Sequence, residues 1–204
     1  GIAVGAIQGS VTINVTGPAV DLAAIRRAAV QALLQLVLDL RAFEPVTIPI
    51  PGGPFRMGRA DPAAPVWERS CTVNLPDYRI GKYPVTNEQY AVFVAQTKGA
   101  VPSVWQGGKI PSGKEKHPVV NVSWYDARAF CAWVSKAAGR EFRLASESEW
   151  EKAARGVDGR VYPWGNQAPT AELCNFNNNV GDTTPVERYS RGASPYGALD
   201  MAGN

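Results

Sequence analysis

The sequence predicts an α+β domain with an irregular, mostly antiparallel β core, flanking helices and a loop-rich body. Three observations carry that prediction. Short β-prone runs alternate with Pro and Gly turns in the first half of the chain. Two capped helices are written back to back between His117 and Gly156, followed by the aromatic turn Tyr162-Pro163-Trp164-Gly165-Asn166. Twenty Gly and sixteen Pro in 204 residues supply the turns that such a body needs.

The elements follow in order. Residues 1–20 are small and β-prone, and Ser10 to Val15 alternates polar and apolar, the period of a strand with one buried face. Thr16-Gly17-Pro18 ends it. Asp21 opens a helix over 21–40, with Ile25, Val30, Leu33, Leu34, Val37 and Leu40 in a wide apolar stripe. That stripe is expected to pack within the domain or on a neighbour. A seam between two copies, giving a homo-oligomer, is the alternative, although the heptads stop after two or three turns.

Val46 to Gly58 reads as a short hairpin: a strand, the turn at Pro51-Gly52, and a second strand. Further strands are expected around Cys71-Thr72-Val73 and over Tyr78 to Val85. Thr86 with Gln89 forms a capping box, and the helix behind it carries Tyr90, Phe93 and Val94 on one face. Residues 98–116 read as an exposed loop, and Val119 to Val122 as a short extended segment. Ser123 caps the next helix, where Ala127, Phe130, Cys131 and Val134 fall at core spacing, and Gly139 stops it. Ser146 with Glu149 makes a second capping box for a helix holding Trp150, Ala153 and Ala154. The organisation expected is an N-terminal strand-helix extension, 1–44, and a main domain, 45–204.

Composition excludes several function classes. A net charge of +3 without a run of one sign does not suit nucleic acid. No apolar run is long enough to span a membrane, and no signal core is visible. Cys71, Cys131 and Cys174 lie far apart with no CxxC spacing, which fits a reducing, cytoplasmic setting, with one disulfide plus a free thiol as the other possibility. A single histidine, His117, offers little to a histidine metal site or a serine triad and reads as structural. Cys131, on an apolar helix face, reads as a small buried hydrophobe. A chain starting at Gly1 is expected to be a processed or excised piece.

Several segments together resemble the formylglycine-generating-enzyme family, also called the sulfatase-modifying-factor family. They are Pro51 to Gly58, Lys82 to Tyr90, His117 to Trp124 with Phe130-Cys131-Ala132-Trp133, Arg143 to Glu151, Tyr162 to Asn166, Pro185-Val186 and Tyr196 to Asn204. Each motif is weak alone; their order and spacing over roughly residues 46–204 make the resemblance specific. It implies a C-type-lectin-like fold. Ala145 departs from it, since the family usually has Pro there.

In enzymes of the family a C-terminal cysteine pair binds copper, a metal suited to soft thiolates. None of the three cysteines matches that pair, and the chain stops at Asn204, ahead of where the pair would lie. The resemblance also allows a structural disulfide at Cys131. The related sulfoxide synthases need an iron site that His117 cannot supply. A second fragment or domain completing the fold is expected.

The resemblance further implies calcium. Asn175, the Phe176 carbonyl and Asp182 match calcium-binding positions, and Asp200 with the Gly203 carbonyl matches part of a second site. These are hard oxygen donors of the kind calcium takes. The competing reading of Asn175 to Asp182 is an Asn-rich turn held by its own side-chain hydrogen bonds. The function expected is a non-catalytic module binding a protein or small-molecule ligand, in the manner of the variable proteins of diversity-generating retroelements. The alternative is a formylglycine-generating oxidase acting on a sulfatase cysteine.

Overall fold

The computed structural model describes residues 21–31, 43–59, 63 and 65–204. The strand expected at 10–15 and the second half of the helix expected over 21–40 lie outside these residues. The chain divides into two compact units, Gly1–Leu38 and Asp39–Asn204. In the first unit, helix α1 is described over 22–31. Asp21 caps it: its carboxylate accepts the Ala23 and Ala24 amides at 2.9 Å each. Leu22, Ile25 and Val30 are exposed.

The second unit begins with a two-stranded ribbon. Strand β1 (Thr47–Ile50) pairs antiparallel with β4 (Tyr78–Gly81), and β2 (Gly53–Met57) pairs antiparallel with β3 (Cys71–Leu75). The hairpin expected between β1 and β2 therefore does not form. Pro51-Gly52 instead interrupts one continuous strand, and Pro76-Asp77 interrupts its partner opposite. One register runs through both ladders, from Ile50 opposite Tyr78 to Gly53 opposite Leu75. Proline has no N–H to give a ladder, so the break falls where Pro51 and Pro76 stand. The Asp77 carboxylate takes the Gly52 amide at 2.6 Å and restores one lost bond. The sequence signal was a turn pair; what the pair makes is a corner.

The helices follow the sequence closely at their ends. Helix α2 (Asn87–Thr97) starts at the Thr86/Gln89 capping box, and α4 (Glu147–Arg155) at the Ser146/Glu149 box. Helix α3 (Trp124–Ala138) gains a full box as well, because Asp126 returns a bond of 2.8 Å to the Ser123 amide. Each such cap is worth about 1 kcal/mol. Gly139 ends α3 in the left-handed region, at φ 68°. The extended segment expected at Val119–Val122 forms no strand. Only a bridge between Thr86 and Pro118 is present, and Asn121 turns the chain at φ 58°. Tyr78 to Val85 is likewise strand only as far as Gly81.

The core lies between α2 and α3. Phe43, Tyr90, Phe93, Trp105, Phe130 and Val134 form one buried cluster. Tyr90 stacks on Phe130 at 5.8 Å, and Phe93 meets both edge-on at 5.1 and 5.8 Å. Such pairs add about 0.5–1.5 kcal/mol each to the burial itself. Asn87, buried at the start of α2, takes the Trp105 indole N–H at 3.0 Å and gives its amide to the Lys114 carbonyl at 2.8 Å.

Helix α4 packs differently. Its buried residues are Glu149, Lys152, Ala153 and Ala154. Trp150 is 46% exposed. The Lys152 ammonium reaches the ribbon corner and donates to the carbonyls of Pro51 and Gly53, at 2.7 and 3.0 Å. The Glu149 carbonyl accepts the Tyr78 hydroxyl at 2.5 Å. At the end of β2, the Glu151 carboxylate accepts the Gly58 amide at 2.8 Å and the Arg155 guanidinium donates to the Gly58 carbonyl at 3.1 Å. Gly58 sits at φ 86°, and a Cβ there would stand 2.7 Å from the Glu68 carbonyl, so only glycine fits this clamp.

After α4 the chain is turns and loops, with a single 3-10 turn at Ser190–Gly192. It is tied back by Val186 N–H to Lys116 at 3.1 Å and Leu199 N–H to Lys82 at 2.8 Å. Among the described residues no helix is long and apolar enough to cross a membrane.

Candidate functional site

Two concavities adjoin the residues singled out above. The larger is a cleft of about 600 Å3. Strand β4 gives it Tyr78 and Ile80, α3 gives Phe130 and Cys131, the α3–α4 connection gives Phe142 and Leu144, and α4 gives Trp150. Leu199, Asp200 and Met201 also line it. Cys131, expected in the core, is half-buried here because the cleft opens beside it.

Four of the charged groups lining this cleft, Arg79, Arg140, Arg143 and Glu149, are already committed. Arg143 grips Glu149 with two bonds, at 2.7 and 2.6 Å. Arg140 pairs with Glu44, and its guanidinium lies 4.4 Å from the centre of the Phe142 ring. Arg79 donates to the Thr47 hydroxyl at 2.9 Å and carbonyl at 2.7 Å. The Arg143 hydrogen bonds, helped by the Ser146 amide and hydroxyl, hold the Glu149 carboxyl at about 2 against its burial. Burial, with the Glu149 charge next, pushes the Tyr78 hydroxyl up. It stays a neutral donor. Burial likewise raises Cys131, which stays a thiol.

Asp200 differs from these. Burial pushes its carboxyl up to about 6, opposed by a bond from Asn204. That bond, from the Asn204 amide to Oδ2, is 2.9 Å long, while Oδ1 is buried with no partner. Asp200 also holds φ 58°, a costly backbone state for a residue with a side chain.

The second concavity, about 290 Å3, is lined by Asn175, Phe176, Asn177, Asn178, Gly181, Asp182 and Asn204. The first expected calcium set is thus brought to one place. The Asn175 amide donates to the Asp182 carbonyl at 2.7 Å, the Asn179 side chain accepts the Phe176 amide at 3.1 Å, and the Asn179 amide returns to the Phe176 carbonyl at 3.0 Å. These are the bonds of a self-held Asn-rich turn. The two expected sets also adjoin. Gly203, at φ 133°, backs onto the Asn175 carbonyl so closely that a Cβ would meet it at 2.5 Å. Asn204 lines the loop pocket while bonded to Asp200 and to Thr184. Asn204 is the link between the two sets, and no local motif marks it.

The donor sets fit cations unequally. Asp182 already carries the Lys114 ammonium on Oδ2 and the Thr183 amide on Oδ1, at 2.7 Å. Asp200, whose buried Oδ1 has no partner, leaves one hard oxygen donor open to a cation. Among the described residues no group of three or more His, Cys, Asp and Glu could hold a metal. Copper finds no thiolate pair. Cys71 is exposed on β3, and all three cysteines are free. Cys174 is buried and pushed up by that burial and by Asp200. His117 bonds the Thr183 hydroxyl at 2.9 Å, and its pKa is lowered by burial first and then by Lys114.

Comparison with known proteins places these features in a family. Residues 39–204 match the model of the sulfatase-modifying factor enzyme 1-like domain, and the chain belongs to that family. It is 33% identical to a hercynine oxygenase of Mycolicibacterium smegmatis, over 76% of this chain and 43% of that protein. It is 32% identical to a formylglycine-generating enzyme of Thermomonospora curvata, over 77% of this chain and 68% of that protein. It is 30% identical to the inactive C-alpha-formylglycine-generating enzyme 2 of Bos taurus, over 77% and 67%. The chain thus spans less than half of the hercynine oxygenase and about two thirds of the other two. Among solved structures, PvdO from Pseudomonas aeruginosa aligns with a TM-score of 0.62 at 25% identity, covering 78% of this chain and 68% of that one. Treponema denticola variable protein 1 aligns with a TM-score of 0.58 at 23% identity, covering 78% and 69%, and so shares the fold.

Proposed function

We propose that this member of the sulfatase-modifying-factor family is a cytoplasmic, non-catalytic module that binds a protein or small-molecule ligand on a C-type-lectin-like scaffold. One observation carries the reading: the large cleft has a largely apolar, aromatic lining, and Arg79, Arg140, Arg143 and Glu149 on its wall are already bonded. Glu149, held at about 2, is no proton donor at neutral pH. Tyr78 and Cys131 are held neutral. A pre-organised apolar pocket with fixed polar edges suits recognition. A family member named as inactive, at 30% identity, supports the non-catalytic part of this reading. The same scaffold serves Treponema denticola variable protein 1. In this reading Asp200, with its unpartnered oxygen, and the Gly203 carbonyl are the place for a calcium ion.

The oxidase reading draws on the formylglycine-generating enzyme at 32% identity. It requires a copper-binding thiolate pair, which the resemblance puts beyond Asn204 and not at Cys131 or Cys174, both pushed toward the thiol form by burial.

Ligand-observed NMR against a fragment library tests the proposal. Aromatic fragments are expected to bind, and Leu144→Asp, which puts a charge into the cleft lining, is expected to abolish their signals. Hits indifferent to Leu144→Asp sink the cleft as the site. Conversion of a cysteine-containing sulfatase peptide to its formylglycine form by this chain, with copper(I) and oxygen and read by mass spectrometry, sinks the non-catalytic reading.

A further inference from the structure

We propose that the Lys114 ammonium is the cation that closes the Asn-rich loop at 174–184, so that the loop holds its shape without a metal ion. Lys114 is delivered from a fixed backbone. Its backbone is anchored on both sides: its carbonyl accepts the buried Asn87 amide at 2.8 Å and the His117 N–H at 3.1 Å, and its own N–H reaches Pro111 at 3.0 Å. Asn87 is in turn fixed by the Trp105 indole in the aromatic core.

From that anchor the segment 114–117 runs beside 182–186. Three contacts join them: Lys114 to Asp182, His117 to the Thr183 hydroxyl at 2.9 Å, and the Val186 N–H to Lys116 at 3.1 Å. The ammonium is therefore aimed at Asp182 by a scaffold and is not a lysine wandering over the surface. It meets a loop that supplies one carboxylate only. The remaining donors are amides and carbonyls, several of them already bonded to each other. With that single negative charge neutralised by Lys114, a divalent ion meets no net charge and has to displace the ammonium first. Calcium affinity follows the count of ligand charges, so this site ranks low. Asp182 is held below the usual carboxylate range by the Lys114 bond before any other cause, which agrees with the pairing.

The test is a calcium titration of the 204-residue chain followed at the Gly181, Asp182 and Thr183 amides by NMR, together with thermal unfolding. These amides report the loop and not Asp200. In the parent protein they are expected to stay put at millimolar calcium. Lys114→Met is expected to lower Tm by about 1–3 °C, the scale of a partly exposed ion pair in a domain of this size. Lys114→Arg keeps the charge and is expected to keep the Tm. In Lys114→Met the same amides should respond to calcium at least about tenfold more tightly than in the parent. A Lys114→Met protein that is destabilised but blind to calcium still supports closure by the ammonium. Asp182→Asn gives a second route, and combining it with Lys114→Met should cost no more than either change alone. Loop amides of the parent shifting at sub-millimolar calcium overturn the proposal. So does a Lys114→Met protein with parental Tm and parental loop shifts.

Discussion

The α2–α3 core and the α4–ribbon contact hold the same domain by opposite means. Between α2 and α3 the buried groups are Phe43, Tyr90, Phe93, Trp105, Phe130 and Val134, touching ring against ring. Under α4 the contact to the ribbon is made by Lys152, Glu151 and Arg155, whose side chains end on backbone carbonyls and amides. The reason lies in what each helix faces. Helices α2 and α3 face each other, and apolar stripes at helical spacing fill the gap. Helix α4 faces a strand pair broken at Pro51 and Pro76, where ladder bonds are lost and carbonyls are left over. A lysine satisfies two of them at once. Burying an unbonded carbonyl costs about 1–3 kcal/mol, so the polar contact is as necessary as the apolar one.

The sharpest way to break this comparison is to empty one side of it. Phe130→Ala is expected to cost about 3–5 kcal/mol in urea unfolding, because its ring contacts Tyr90 and Phe93 in a closed cluster. Lys152→Met is expected to cost roughly 2–4 kcal/mol by the same measurement, since it strands the Pro51 and Gly53 carbonyls. A gain in stability there would mean that relief of the buried charge outweighs the lost bonds, and the two regions would no longer be equivalent.

Glu149 sharpens the electrostatic half. Its folded pKa, about 2, lies below the ordinary 4.5. The stabilisation it gives is therefore fully present above pH 4.5 and lost as pH falls through about 2. Acid unfolding of the parent should show that loss, and Glu149→Gln should be flat in the same window and about 1–2 kcal/mol less stable at neutral pH. The smallest effect is expected from the exposed aromatics. Trp124→Ser should change stability by less than about 0.5 kcal/mol, because its ring stands largely in solvent, and Trp150→Ala by about 1 kcal/mol, because its ring is about half exposed. A loss as large as that of Phe130→Ala in either would show that being aromatic, rather than being buried, sets the cost.

Legibility in the sequence follows the same division. Thr86, Ser123, Ser146 and Gly139 marked helix ends correctly, since capping is settled within four residues of chain. Spacing puts Tyr90, Phe93 and Val94 on one face and Ala127, Phe130, Cys131 and Val134 on another; Tyr90, Phe93, Phe130 and Val134 are buried, while Val94, Ala127 and Cys131 are half-buried. Lys152 was not legible. A lysine on a charged helix reads as solvated, and only the broken ribbon gives it carbonyls to bond. Trp150 stands on the helix that the sequence predicts, but its place on the wall of a cleft is something spacing cannot show. The candidate site divides likewise. Asn175, Phe176 and Asp182 do share a pocket, and Asp200 and Gly203 adjoin it, but Lys114 and Asn204 join that picture only through contacts far along the chain.

The sequence by itself determined the α+β class, the capped helices, the aromatic core face and the family, because each is written in local spacing or ordered motifs. Tertiary structure alone decided that Pro51-Gly52 is a corner in a ribbon and not a hairpin, that Lys152 is buried, and that Asp182 is answered by Lys114. Those outcomes depend on which backbone groups are left without partners once distant segments meet, and that count exists only in the folded chain.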